Sequence, residues 1–306
     1  MNLKELIQKG IATISSLYPE SEAREMVLAY LCDTVGIKRH THIMYPDYEV
    51  AAEQASYALA AFERMAAGEP LQYVTGRAYF YGREFRVTPA TLIPRPETEL
   101  LCRMSVDAAA KPASRVLDLC TGSGCIAWTL ALELPQSEVV AVDLSDGALE
   151  VASGQDFAEE MQMTGAHAPA FVKADVLDSG LSSILLSHLK ADALTPSIPG
   201  IEAKFDIILS NPPYVMDSEK ALMRKNVLEH EPHMALFVPD CDPLLFYRAV
   251  ADRAAEFLSS DGVGIVEINE ALGEETAEVF RSKGFLRVEV VKDLYDKDRF
   301  VRFSWK

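Results

Sequence analysis

The sequence predicts an α/β protein: a doubly wound, mostly parallel seven-stranded sheet behind a small N-terminal helical bundle. Two observations carry that expectation. Through residues 1–70 apolar side chains recur at three- and four-residue steps, the period of helices that bury one face. Beyond Ser114 short β-branched runs alternate with helical sequence, a pattern that needs a parallel sheet covered on both faces. The implied organisation is a helical domain at 1–70, a connection at 71–100 and an α/β domain at 101–306.

Leu3, Leu6, Ile7, Ile11, Ile14 and Leu17 form the stripe of the first helix. Ser21 is placed to cap a second helix, with Glu22 and Glu25 in its first turn and Met26, Val27 and Leu31 on its buried side. A third pattern runs from about Asp47 to Ala67 and stops at Gly68, with Pro70 just beyond. The stretch AYFYGREFRV has two aromatic-rich runs around Tyr81-Gly82-Arg83 and predicts a β-hairpin. Pro94 and Pro96 then hold the chain extended until a helix begins near Glu97. RVLDL, EVVAVD, AFVKAD, FDIILS and GVGIVEI are the expected parallel strands, and LRVEVVKD and RFVRFSW a final antiparallel pair. Residues 179–204 are polar and proline-containing, and are expected to be an inserted loop with at most a helical turn.

A chain of 306 residues that is 49% hydrophobic and 25% charged has enough apolar sequence for a large core, so wholesale disorder is excluded. No run is long and apolar enough for a secretion signal or a membrane span, which points to a cytoplasmic protein without membrane contact. Five scattered cysteines without a C-x-x-C pair read as reduced, buried thiols. His230 and His233 lack further ligands nearby, so no metal site is expected. A net charge of −17 repels phosphate backbones and argues against direct nucleic-acid binding, while suiting a basic protein partner.

Ligands of open α/β sheets bind beyond the carboxyl ends of the strands, so the residues closing each strand carry the chemistry. Asp118 closes the first and leads into LCTGSGC, where Gly122 and Gly124 allow a tight turn and close approach to a ligand. The loop is no Walker loop and lacks the full G-x-G-x-x-G; alone it is a weak signal. Asp143 closes the second strand, where a carboxylate can accept hydrogen bonds from both ribose hydroxyls; the bland alternative is a helix cap by Asp143 or Ser145. Asp175, after the third strand, can meet an adenine amino group, or simply form a turn.

The fourth strand runs into Asn211-Pro212-Pro213-Tyr214, the most specific signal in the chain. Two consecutive prolines fix φ and stiffen the loop. The side-chain carbonyl of Asn211 and the backbone carbonyl of Pro212 then offer two acceptors to the two N–H bonds of one NH₂ group. Tyr214 offers a flat face for stacking on a planar amide or base.

Asp118 with its glycine loop, Asp143 and the NPPY tetrapeptide together resemble the class I S-adenosylmethionine-dependent methyltransferases, whose sheet is Rossmann-like, that modify amide or amino nitrogen. Within them the chain is most similar to the family that methylates the glutamine of the Gly-Gly-Gln motif in class I peptide chain release factors. EPLQYVTG at 69–76, F-x-G-x-x-F from Phe80 to Phe85, LIPRPETE at 92–99, HEPHMAL at 230–236 and DRFVRF at 298–303 extend the likeness over nearly the whole chain. LIPRPETE and the EP-x-x-AL after NPPY separate it from DNA adenine methyltransferases.

The resemblance implies S-adenosylmethionine as cofactor, with Asp118, Cys120, Thr121, Gly122, Ser123, Gly124, Asp143, Asp175, Val176 and Asn211 around it. It implies catalysis by Asn211, Pro212 and Tyr214, with Pro213 also against the substrate. A monomer acting on a protein substrate is expected, the helical domain gripping that substrate. Arg95 and Glu231 resemble positions near the site, with a structural role as the alternative. A ribosomal-protein glutamine methyltransferase would share most of these motifs, and a nucleic-acid adenine methyltransferase the NPPY geometry. A non-catalytic cofactor-binding protein is the remaining alternative. The chain departs from the family pattern at Cys120, Gln155, Asn269-Glu270 and in the length of 179–204.

Overall fold

A computed structural model describes residues 1–45, 47–191 and 204–306. Contacts divide the chain into two compact units. The first comprises Met1–Arg77, Val87–Pro89 and Met223–Glu231; the second comprises Ala78–Arg86, Ala90–Leu222 and Pro232–Lys306.

The first unit is helical, with helices at Leu3–Ile14, Glu20–Val35, Thr41–Met44, Ala52–Ala66, Leu71–Thr75 and Lys225–His230. Asn2 opens the first with a reciprocal capping box: its Oδ1 accepts from the Glu5 amide at 2.8 Å, and Glu5 accepts from the Asn2 amide. Leu3, Leu6, Ile14, Val27, Leu31 and Phe62 are buried together in the core of this unit. The first helix ends one turn before Leu17, which is exposed, because Ser15 already caps it at Ile14. The second helix starts at Glu20 with Pro19 at its cap, so Ser21 lies inside the first turn and does not cap it. Proline fits there because a helix N-terminus needs no donor at that position.

The second unit is built on a sheet. A hairpin of β1 (Arg77–Phe80) and β2 (Arg83–Arg86) turns at Tyr81 and Gly82. Parallel strands follow: β3 (Arg115–Leu119), β4 (Glu138–Asp143), β5 (Ala170–Lys173) and β6 (Phe205–Ser210). A short parallel pair, β7 (Val215–Met216) and β8 (Phe237–Val238), precedes β9 (Leu258–Glu267), β10 (Arg287–Lys292) and β11 (Asp298–Ser304). The seven-stranded sheet has the order β10-β11-β9-β6-β3-β4-β5, with β11 antiparallel to both its neighbours. Its central strands are apolar on both faces because both are covered. Leu101, Ile126 and Trp128 pack with Val116, Val139 and Ile207. Tyr247, Val250 and Phe280 pack with Leu117, Val140 and Ile208.

Residues 181–191 form a helix, Leu181–Ala191, where the sequence reading expects a loop. Leu181 and Leu185, one turn apart, are fully buried, and that spacing gives the segment a packed helical face. The rest of the expected insert, 192–203, lies outside the described residues. No described helix is long and apolar enough to cross a membrane.

Candidate active site

The chain leaves β3 outward to β4 and β5, then returns to place β6 on the other side of β3. That reversal opens a crevice beyond the carboxyl ends of the strands. A cavity of about 310 Å³ lies there, lined by Cys120–Ser123 after β3, Asp143–Ser145 at the end of β4, Asp175–Leu177 after β5, and Asn211 and Pro213 after β6. Residues 90–95, Thr98, Met234, Ala235, Phe237 and Phe246 complete the walls.

The turn after β3 uses left-handed backbone at Cys120 (φ 65°), Gly122 (φ 56°) and Gly124 (φ 78°). A side chain at Gly122 would meet open space, so this glycine faces room for a ligand. One at Gly124 would come within 3.0 Å of Ala152 and 3.2 Å of Trp128, so that glycine serves packing and does not line the cavity. Cys120 adopts the left-handed conformation without a glycine's freedom, and burial pushes its thiol up, keeping it protonated.

Asp118 lies beneath the loop, fully buried. Thr121 Oγ1 donates to its Oδ2 at 2.6 Å, while Oδ1 makes no hydrogen bond with the described residues. Burial pushes this carboxyl up to about 7, with the neighbouring Asp143 carboxylate adding to the effect and Thr121 and the Ala127 amide opposing it. An orphaned buried carboxylate oxygen is costly unless a donor or cation reaches it.

Asp143 accepts from the Gly122 amide at 2.8 Å and from the Ser145 amide at 2.9 Å, one bond to each oxygen. A carboxylate oxygen has two acceptor sites, so both remain able to take a hydroxyl. The capping of the next helix falls to Ser145, whose Oγ accepts from the Ala148 amide. Burial raises the Asp143 carboxyl. Asp175 stands two residues beyond the end of β5 and accepts from the Leu177 amide at 2.8 Å; Val176 beside it is buried. Gln155 ties this floor to the hairpin: its Nε2 donates to the Arg86 and Ser123 carbonyls, and its Oε1 accepts from the Arg86 amide.

Asn211 Nδ2 donates to Thr98 Oγ1 at 3.2 Å, leaving Oδ1 as the acceptor this cavity-lining side chain can offer. Thr98 in turn donates to Glu267 Oε2 at 2.7 Å, and Tyr214 donates its hydroxyl to Glu267 Oε1 at 3.0 Å. Pro212 and Tyr214 do not line the cavity: Pro212 is buried, and the ring of Tyr214 is held back by Glu267 and by packing against the core. The backbone carbonyl of Tyr214 accepts from Asn269 Nδ2, which also bonds Glu219. Arg95 lines the cavity, whereas Glu231 belongs to the helical unit and ends the helix Lys225–His230.

Thr98 and Glu267 were not singled out by the sequence, and Asn269 was noted only as a departure from the family pattern. Their signals were present: Thr98 stands inside LIPRPETE, and Glu267 is a carboxylate closing the apolar run GVGIV at 262–266. A cavity bordered by the carboxylates of Asp143 and Asp175, with Asp118 buried beneath the glycine loop, and walled by apolar side chains fits a cationic, hydroxyl-bearing ligand with an aromatic part. The remaining acceptor sites of Asp143 and the open space at Gly122 are consistent with S-adenosylmethionine.

Residues 5–76 match the sequence profile of the PrmC N-terminal domain. A release factor glutamine methyltransferase of Flavobacterium psychrophilum is 34% identical, covering 100% of both chains. One from Bacteroides thetaiotaomicron is 37% identical, covering 94% of this chain and 95% of that one. Among solved structures, the hMettl16 catalytic domain in complex with the MAT2A 3'UTR hairpin 6 is similar with a TM-score of 0.51. It is 13% identical and covers 87% of this chain and 92% of that chain, a likeness of fold alone.

Proposed function

The chain belongs to the release factor glutamine methyltransferase family, and from that premise we propose that it methylates the side-chain amide nitrogen of the glutamine in the Gly-Gly-Gln motif of class I release factors, using S-adenosylmethionine, in the cytoplasm. The observation that carries this reading is the orientation of Asn211, whose NH₂ is engaged by Thr98 so that its carbonyl serves the cavity.

An amide nitrogen is a poor nucleophile, because its lone pair is delocalised into the carbonyl. S-adenosylmethionine supplies an electrophilic methyl on a sulfonium, which is its own leaving group. The protein's part is positioning and charge stabilisation. Asn211 Oδ1 accepts an amide hydrogen, which orients the nitrogen and places a dipole where positive charge grows, while the buried Pro212 stiffens the backbone that carries this acceptor. Pro213 lines the same wall, and Tyr214 stiffens the loop from behind. Asp143 would take the ribose hydroxyls and Asp175 with Val176 the adenine, with the loop 120–123 beside the amino-acid part; Asp118, buried beneath that loop, would act on it only through Thr121.

Methyl transfer from labelled cofactor to a panel of acceptors tests this reading: a release factor, its Gln-to-Ala variant, a large-subunit ribosomal protein and duplex DNA. Label on the intact release factor alone is expected. Label on the ribosomal protein or DNA in its place would overturn the substrate assignment.

A further inference from the structure

The hydrogen bonds behind Asn211 form a directed chain. Glu267 is buried at the end of β9 and, as a carboxylate, only accepts. Its two oxygens take the hydroxyl protons of Thr98 and Tyr214. A hydroxyl has one proton, so Thr98, having given it to Glu267, can only accept from Asn211. The Asn211 atom 3.2 Å away must therefore be the NH₂, and the carbonyl is fixed on the other side. Without this constraint the two ends of an Asn amide are nearly equivalent in shape, and either could face the cavity.

We propose that Thr98 and Glu267 are positioning residues for methyl transfer: they lock the Asn211 amide with its carbonyl toward the substrate, and Glu267 holds Tyr214 in the same network. The proposal rests on the reading of Asn211 as the acceptor of the substrate NH₂. Burial raises the Glu267 carboxyl, opposed by the hydrogen bonds from Thr98 and Tyr214 and by the charge of Arg299, which is itself held by Asp293 at 3.1 Å and Glu270 at 3.6 Å. A flipped Asn211 would put a donor against a donor and repel the substrate amide in the transition state.

Two substitutions at one buried position separate positioning from packing. Thr98→Val keeps the volume and loses the hydroxyl; Thr98→Ser keeps the hydroxyl and loses the packed methyl. If Thr98 positions Asn211, the valine variant loses about tenfold or more in kcat, with cofactor Kd close to wild type; its Tm falls as well, because a buried Glu267 oxygen loses its donor. The serine variant keeps that bond and recovers kcat, although it too loses stability with its methyl. Glu267→Gln, which sets an NH₂ donor against either Thr98 or Tyr214, lowers kcat likewise. With both variants assayed well below their Tm, wild-type kcat in the valine variant, or a serine variant as slow as the valine one, overturns the proposal. Asn211→Ala, run alongside, keeps the two levels apart. An inactive alanine variant beside a fully active valine variant sinks positioning alone. A fully active alanine variant sinks the site reading and this proposal with it.

Discussion

Asn211 concentrates the account at the scale of single residues. Its substitution by alanine removes one preorganised acceptor and is expected to cut kcat by about a hundredfold or more, with cofactor affinity retained; single-turnover kinetics and calorimetry check the two halves. Asp118 gives a second prediction, from its carboxyl near 7 against an ordinary value of 3.8. The folded state holds the proton more tightly than the unfolded state, so the stability tied to the protonated acid is complete below about 4 and is lost as pH rises to about 7. The loss is at most about 4 kcal/mol. Asp118→Asn cannot ionise, so in the ligand-free protein it should gain stability over wild type across that window. Urea unfolding at a series of pH values measures the gain. The strand-closing residues Asp118, Asp143 and Asn211 were legible in the sequence because position at a strand end is a local signal. Thr98 and Glu267 were not, because 169 residues separate the two and only the folded sheet brings them together. The placement of the Tyr214 ring behind the cavity wall depends on the same distant carboxylate.

Among the elements, the turn between β3 and its helix separates a ligand role from a packing role. Gly122→Ala incurs a left-handed backbone cost of about 1–2 kcal/mol and projects a methyl into open space, so weakened cofactor binding should accompany modest destabilisation. Gly124→Ala adds the contact with Ala152 to the same backbone cost and should be the less stable of the pair by thermal unfolding. Gln155 makes three hydrogen bonds between β2 and the glycine loop, so Gln155→Ala should cost about 2–3 kcal/mol. The parallel strands were readable because burial on both faces leaves continuous apolar runs. Short helices such as Thr41–Met44 and Leu71–Thr75 were missed, since a single turn is too brief for a periodic pattern. Leu181–Ala191 was missed for another reason: the whole of 179–204 was read as one polar, proline-containing insert, although Leu181 and Leu185 stand one helical turn apart.

For the whole molecule the governing quantity is a net charge of −17. If the acceptor is a basic protein, its encounter is electrostatically steered, and kcat/KM for the acceptor should fall about tenfold or more between low and high salt. Binding of the small cofactor, governed by buried contacts, should change much less. The N-terminal helical domain is proposed to grip the protein acceptor, which a small-molecule methyltransferase would not need. The boundary between helical and α/β sequence was visible as a change of period, but its detail was not. Residues 223–231, far along the chain, belong to the helical unit, a return that no local pattern encodes.

We propose that the methyl group goes to one glutamine amide through Asn211, and peptide mass spectrometry of a release factor incubated with the protein and S-adenosylmethionine checks this. A single added methyl is expected on the glutamine of Gly-Gly-Gln with the wild-type chain, and none at matched time with an Asn211→Ala chain that still binds cofactor. A methyl on another residue, or equal methylation by both chains, would contradict it.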